Sequence, residues 1–247
     1  MNIPLKDHQD LSKTASLDVF LLGMVDLDTS LVLQERLRRE IASRNDAYGA
    51  ILICEHPPSV TIGREGSFAD VLVEREELVA RKMDVRWLNR GGGTFVHLPG
   101  QLAASVIVPL DRLGLGLLSF RSSLENALIG TAADLKVPAE RSAVAPGVLC
   151  RCGQFAFIGA SVRDWVSHGG LYINVSVPQE ALDLIRWSRA EHRVTSLATQ
   201  RTRPTAMSTV RESLIRNLAK SLGYNDYHAY SGHPLLHRTT RKVYVFA

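Results

Sequence analysis

Arg90-Gly91-Gly92-Gly93-Thr94-Phe95-Val96-His97-Leu98-Pro99-Gly100-Gln101 places an arginine, a run of glycines and a histidine within one short stretch. Adjacent glycines permit positive φ and let a ligand lie directly against the backbone, because no Cβ stands in the way. Amide N–H groups presented there can receive an anion or a carbonyl oxygen. The spacing is not the Gly-x-Gly-x-x-Gly of a dinucleotide site, and the Gly-Lys-Ser/Thr of a phosphate loop is absent. A tight glycine turn between two strands explains the same composition. His97 fits three roles: a catalytic base, a ligand contact, or a hydrogen-bonded core histidine.

Two other groupings have types suited to chemistry. Ser188 and His192 stand four apart, so on a helix they share a face as nucleophile and base, a pairing that chance also produces. Cys150-x-Cys152 is short for a metal or redox pair, and no other thiol is near it in sequence. Cysteines of a turn or of the core, without a special role, are the expectation there.

Positioning these residues requires strands and helices, and hydrophobic spacing supplies them. Residues 17–24 form a short apolar run expected as a strand. Residues 30–44 carry Leu31, Leu33, Leu37 and Ile41 among charges, the spacing of an amphipathic helix. Residues 50–54 read as a buried strand, stopped by His56-Pro57-Pro58. Residues 67–82 have helical composition and lead into a strand at 85–88; 101–109 predict a buried strand and 119–135 a long helix. Residues 148–151, 154–163 and 171–177 read as antiparallel strands, with turns at Cys152-Gly153 and Ser167-His168-Gly169-Gly170. A closing helix spans 205–222. Hairpins, with helices in the longer connections, predict an α/β (mixed α+β) single domain: a mostly antiparallel, mixed sheet with helices packed outside. The expected organisation is an arm over 1–16, one domain over 17–222 and an extension over 223–247.

Composition narrows the function classes. The 247 residues are 45% hydrophobic and 22% charged, with mean hydropathy near zero, as in a soluble globular protein. No stretch approaches the roughly 18 apolar residues of a membrane span. The N-terminus lacks the basic-then-apolar order of a signal peptide. Three cysteines are too few for a disulfide framework and fit a reducing compartment, so a cytoplasmic location is expected. The formal charge is +4, and the basic stretch at 238–242 reads as a solvated tail or as a patch for an acidic carrier protein. Neither zinc-ligand spacing nor aromatic-basic interleaving appears, so no metal and no nucleic acid are expected.

Four stretches carry a resemblance when taken together in their order. They are Glu55-His56-Pro57-Pro58 with Thr61-Ile62-Gly63; the arginine-glycine segment with His97-x-Pro99-Gly100-Gln101; Ala145-Pro146-Gly147-Val148 with Phe157-Ile158-Gly159; and Gly170-Leu171-Tyr172-Ile173-Asn174-Val175. They resemble the octanoyltransferases, the lipoate–protein ligase B family of the biotin/lipoate ligase fold, over about 17–197. The resemblance implies a cofactor-free acyltransferase that moves octanoate from octanoyl-acyl carrier protein to a lysine of a lipoyl domain. Acceptors of that kind are the lipoyl domains of 2-oxoacid dehydrogenases and the glycine cleavage H protein. It also implies an acyl pocket lined by Arg90, Gly91, Gly92, Gly93, Thr94, Phe95, Val96, His97, Phe157, Ile158, Gly159, Gly170, Leu171 and Tyr172.

The same resemblance implies a cysteine nucleophile and an activating lysine, and there the chain departs from it. The lysine position, heading the strand that leads to Phe157-Ile158-Gly159, holds Gln154. The cysteine position, 34 residues later, holds Ser188 within Arg186-Trp187-Ser188-Arg189, and the family's Asn-Pro-Cys-Gly turn is missing. The family's histidine before its Gly-Leu-x-x-Asn strand falls on Gly169, beside His168. Serine needs a strong neighbouring base where cysteine is already partly thiolate, and His97, His168 and His192 are the candidates. Two outcomes stay open: transfer through Ser188 or by direct attack of the acceptor lysine, or a catalytically impaired or non-catalytic acyl- or carrier-binding relative. An ATP-dependent lipoate or biotin ligase is disfavoured, because those ligases also place a lysine at the Gln154 position.

Overall fold

Strands β2 (Gly49–Glu55) and β6 (Gln101–Ile107) are buried along nearly their whole length and pair antiparallel inside an eight-stranded sheet. The structure, a computed structural model, describes residues 15–187, 193–200 and 204–236. The sheet runs β11 (His228–Ser231), β1 (Leu17–Met24), β2, β6, β10 (Val166–Asn174), β9 (Gly153–Arg163), β8 (Gly147–Cys150), β7 (Ala139–Arg141). Strand β1 is parallel to β2 and β11, and the other pairs are antiparallel, so the mixed, mostly antiparallel sheet expected from sequence is the one that forms. A smaller sheet joins β4 (Asp84–Trp87), β3 (Ser59–Ile62) and β5 (Thr94–His97).

Register decides which side chains meet, because alternate residues of a strand point to opposite faces. Cys54, Ala103, Tyr172 and Phe157 stand level across β2, β6, β10 and β9. They share one apolar cluster with Val60 and Phe95 of the small sheet and with Trp187. On the opposite face Ile53, Ala104, Leu171 and Ile158 are level. They pack with helices α3 (Leu117–Asp134) and α6 (Met207–Leu222) through Leu124, Leu128, Leu214 and Leu218. Helix α1 (Leu27–Ser43), capped by Asp26 accepting from Thr29 N at 2.8 Å, covers the rest of the first face. Its Leu33, Leu37 and Ile41 meet Phe20, Leu52 and Val166. The space between the large and small sheets is therefore where the glycine segment and Phe157 face each other. The short helices α4 (Gln179–Leu182) and α5 (Leu197–Gln200) lie in the connection from β10 to α6.

The structure corrects two local expectations. Residues 67–82 form a 3-10 turn (Phe68–Asp70) and a short helix, α2 (Arg75–Ala80), rather than one helix. Between them Val71 bridges Ile185, Leu72 N donates to Leu184 O at 2.9 Å, and Arg186 N donates to Asp70 O at 2.6 Å. Pairing with a distant segment outweighs a helix propensity worth roughly 0.7 kcal/mol per residue at most for ordinary residues. Ser167, His168, Gly169 and Gly170 lie inside β10 and pair with β9, so they are not a turn. The chain reverses at Asp164 and Trp165, both left-handed at φ 53° and 57°. Asp164 is held there by Arg38 Nη1 at 2.9 Å.

Strands β3, β5, β7 and β11 were not legible from periodicity, and β11 lies within 223–247. Ser188, His192 and the basic stretch at 238–242 lie outside the described residues. Among the described residues no helix is long and apolar enough to cross a membrane.

Candidate active site

Pairing of β3 with β5 sets Thr61 opposite Phe95, and Arg90 folds back onto that pair. Its Nη2 donates to Thr61 O at 2.9 Å and Thr61 Oγ1 at 2.6 Å, and its Nη1 donates to Gly91 O and Gly93 O, both at 3.0 Å. The guanidinium carbon stands 3.9 Å from the Phe95 ring centroid, a cation–π contact. Burial lowers the Arg90 pKa to about 10, a value that still leaves it charged.

The network continues through His97. Gln101 Nε2 donates to Val96 O and Asn174 Oδ1, both at 2.9 Å, so its Oε1 faces His97 Nδ1 at 2.9 Å. That nitrogen therefore carries the proton, and Nε2 accepts from the Thr61 hydroxyl at 2.8 Å. Asn174 Nδ2 in turn donates to Thr195 O at 3.2 Å. His97 is fully buried with both ring nitrogens engaged, and burial holds its pKa well below 6.5. Of its three sequence roles, the geometry matches the hydrogen-bonded core histidine, which stiffens the segment behind the glycines.

His56 is a second neutral, buried imidazole, with Nδ1 2.8 Å from Val25 O and Nε2 3.6 Å from Cys54 Sγ. Burial lowers its pKa as well. Both histidines take up protons near pH 6.5 when unfolded but resist them in the fold. Their contribution to stability is thus complete above about pH 6.5 and declines as pH falls below it, by up to roughly 1.4 kcal/mol per pH unit for each. Urea unfolding at about pH 7.5, 6.5 and 5.5 should show that decline, and a midpoint constant over this range would contradict it.

Gly92, Gly93, Thr94, Phe95, Phe157 and Ile158 line a narrow cleft with a cavity of about 20 Å³, closed by Val144, Ala145, Pro146 and Trp187. That is room for about one water molecule, so a ligand larger than that has to part the walls. Gly92 takes φ 79° at its wall. Gly92 and Gly93 bring main chain without a Cβ to this wall, where a ligand can approach the backbone. Gly159 lies behind, where a Cβ would stand 2.9 Å from Phe95 Cε2 and 3.1 Å from Tyr172 Cε2.

The residues expected to line the pocket divide accordingly. Arg90 and His97 support the cleft from behind, Gly91 N is tied to Ala160 O at 3.1 Å, and Val96 belongs to the same apolar cluster. Gly170 is level with Gly159, and Tyr172 packs edge-on to Phe95 at 5.5 Å between ring centroids. Leu171 points into the core beneath α3 and α6, away from the cleft.

Gln154 reaches the cleft side through a bulge. Leu149 pairs with Gln154 while Val148 pairs with Ala156, so Phe155 is an extra residue that turns Gln154 to the face of Phe157. Gln154 is buried, and its Nε2 donates to Ala156 O at 3.1 Å. Its backbone N donates to Arg193 O at 2.8 Å and its O accepts from Thr195 N at 3.0 Å. Residues 188–192 thus connect Trp187, in the cleft, to Arg193, tied to Gln154.

His168 sits toward α1 instead, where burial and then Arg38 lower its pKa, and its neighbour Gly169 N donates to Gln34 Oε1 at 3.1 Å. Cys150 is buried with its thiol donating to Gly153 O at 3.2 Å, and Cys152 is exposed in the adjoining turn. Thr61 and Trp187 are site residues that sequence reasoning did not assign to the site; Trp187 offered only its position beside Ser188.

A family profile described as the lipoyl protein ligase A/B catalytic domain matches residues 26–219. An octanoyltransferase of Geotalea uraniireducens (strain Rf4) is 35% identical over 160 residues, 65% of this chain and 71% of that protein. One of Roseiflexus sp. (strain RS-1) is 33% identical over 207 residues, 82% of this chain and 86% of that protein. In shape the chain is similar to a bi-partite lipoate protein ligase from Thermoplasma acidophilum, at TM-score 0.71 and 18% identity over 89% of this chain and 88% of the other. Lipoate-protein ligase A bound with ATP gives TM-score 0.69 and 17% identity over 87% of each chain. At such identities these two likenesses bear on the fold alone.

Proposed function

The chain belongs to the lipoyl protein ligase A/B catalytic-domain family, and from that membership we propose that it is an octanoyltransferase of protein lipoylation. The donor is octanoyl-acyl carrier protein. The acceptor is a lysine on a lipoyl domain of a 2-oxoacid dehydrogenase or on the glycine cleavage H protein. The observation that carries this reading is the cleft in which Gly92 and Gly93 face Phe157 and Ile158. Its apolar walls suit an alkyl chain once they part to admit it, and burying about seven methylenes at roughly 0.8 kcal/mol each would dominate recognition. The glycine main chain, bare of Cβ there, suits close approach of the thioester.

In this scheme Ser188 Oγ attacks the thioester carbonyl, its proton passes to a base, and the carrier thiol leaves. The lysine amine then attacks the ester, forming the amide and restoring the Ser188 hydroxyl. Direct attack of the lysine on the bound thioester gives the same product without an ester intermediate. Gln154 contributes position only, having no proton to exchange. A second reading, a non-catalytic acyl- or carrier-binding relative, is favoured by one observation: the Gln154 amide already donates to Ala156 O.

Octanoyl-carrier protein and apo lipoyl domain, mixed with wild type or Ser188→Ala and followed by mass spectrometry, separate these readings. Wild type should octanoylate the domain and Ser188→Ala should be slower by about 10²-fold or more if Ser188 is the nucleophile. No product from wild type at high concentration rejects transfer. Equal rates retain transfer by direct attack and exclude Ser188.

A further inference from the structure

A chain of five hydrogen bonds runs with one polarity from Arg90 through β3, β5, β6 and β10 to Thr195. Arg90 Nη2 donates to Thr61 Oγ1 at 2.6 Å, and the Thr61 hydroxyl donates to His97 Nε2 at 2.8 Å. His97 Nδ1 donates to Gln101 Oε1, and Gln101 Nε2 donates to Asn174 Oδ1, both at 2.9 Å. Asn174 Nδ2 donates to Thr195 O at 3.2 Å. Every member is buried. The direction is fixed at both ends, because a guanidinium only donates and a main-chain carbonyl only accepts. Each side chain between them has one usable orientation, and bonds aligned in this way polarise one another.

The two ends are two halves of the candidate site. Arg90 holds Gly91 O and Gly93 O. At the far end Thr195 N donates to Gln154 O at 3.0 Å, and Gln154 N donates to Arg193 O at 2.8 Å. Asn174 is the junction between them, level with Gln101 across β6 and β10. Gln179 Nε2 to Val194 O at 3.2 Å and Ala198 N to Val175 O at 2.9 Å tie the same stretch separately, so its fold does not rest on Asn174 alone.

We propose that Asn174 is a positioning residue: it holds residues 193–195, and with them position 154, in register with the glycine segment; its effect on catalysis rests on the octanoyltransferase reading of the site. The distinguishing change is Asn174→Asp. A carboxyl group still accepts from Gln101 and, while protonated, still donates to Thr195 O; once ionised it sets a negative oxygen against that carbonyl. Burial raises the pKa of a carboxyl group, which brings this ionisation into the range of ordinary buffers. Relative to wild type at the same pH, kcat for lipoyl-domain octanoylation should be nearly intact at about pH 5.5 and lower by about 10²-fold at about pH 8, with little change in KM for octanoyl-carrier protein. Asn174→Ala should be slow at both. A side chain that merely fills space would give the same ratio at either pH, and that result overturns the proposal.

Hydrogen–deuterium exchange gives a reading that needs no turnover. In Asn174→Ala the Thr195 and Gln154 amides should exchange about tenfold faster than in wild type, while those of α1 keep their rates. In Asn174→Asp the same acceleration should appear at about pH 8 and vanish at about pH 5.5, each against wild type at that pH. Circular dichroism confirms folding, and Asn174→Ala carries the exchange test if the charged variant unfolds. Wild-type exchange at both amides overturns the proposal. Faster exchange in a protein whose wild type transfers no octanoate supports the placement by Asn174 and overturns the octanoyltransferase reading instead.

Discussion

Changing Gln154 to lysine and Ser188 to cysteine together should raise octanoyl transfer by about 10²–10⁴-fold over the wild-type chain. The gain comes from two defects that are chemically distinct. A serine hydroxyl is a weak nucleophile unless a base removes its proton, whereas a cysteine is a few per cent thiolate at neutral pH. Glutamine at position 154 neither carries charge nor exchanges a proton, while a lysine there would meet the same burial and have its pKa drawn down toward neutrality. The bulge at Phe155 aims position 154 at the Phe157 face, and the Ala156 carbonyl that now accepts from Gln154 offers a ready acceptor for an ammonium group. Groups that act as a unit are not additive, so each single change should do far less than the pair. Rates of lipoyl-domain octanoylation for all four combinations, followed by mass spectrometry, provide the measurement. A correctly folded double variant no faster than wild type would reject the missing pair as the limiting defect and move it to the stacked rings that close the cleft.

The parts of the fold legible in sequence are those whose physics is local. Leu33, Leu37 and Ile41 repeat at helical spacing and become the buried stripe of α1. The apolar run at 17–24 is β1 to the residue. What stayed hidden depends on partners far along the chain. The residues of 67–82 look helical, yet Asp70 and Leu72 pair with Arg186 and Leu184, and this same pairing places Trp187 in the cleft. Asp164-Trp165 lacks the Asn-Gly signature of a tight hairpin, so the glycines downstream looked like the turn. Simple alternation would set Gln154 on the face of Ala156, and only the register across β8 reveals the bulge that reverses it. The arginine-glycine segment was recognisable by residue type. Its hydrogen-bond partners were not, since Thr61 lies 29 residues before Arg90 and Asn174 lies 73 after Gln101.

Those distant partners make Arg90→Met the other change with a large expected effect, a loss of about 3–5 kcal/mol of unfolding free energy. Exchanging a buried charge for an apolar group is sometimes neutral, because the desolvation penalty of the ion disappears with it. Arg90 Nε, buried without a partner among the described residues, is a liability of that kind. Against it stand Gly91 O, Thr61 O and Thr61 Oγ1, which lose a charged donor at about 1–3 kcal/mol for each left without a partner, whereas Gly93 O keeps Gly63 N at 3.1 Å. The cation–π contact with Phe95 is lost as well, worth up to about 2 kcal/mol when desolvated. The acceptors outnumber the single unpaired nitrogen, so destabilisation wins. Lysine should not rescue the loss, because one ammonium cannot serve the two directions that the guanidinium fork serves. The damage should also concentrate at the site: Gly91 and Gly93 are the residues Arg90 holds, so acyl-analogue affinity should fall even where urea unfolding shows the fold intact. A double-mutant cycle with Thr61→Val separates the local from the global effect. Coupling of about 1 kcal/mol or more is expected if Arg90 acts through the Thr61–His97 chain. Strict additivity, or an Arg90→Met protein as stable as wild type, would mean that packing alone holds the glycine segment.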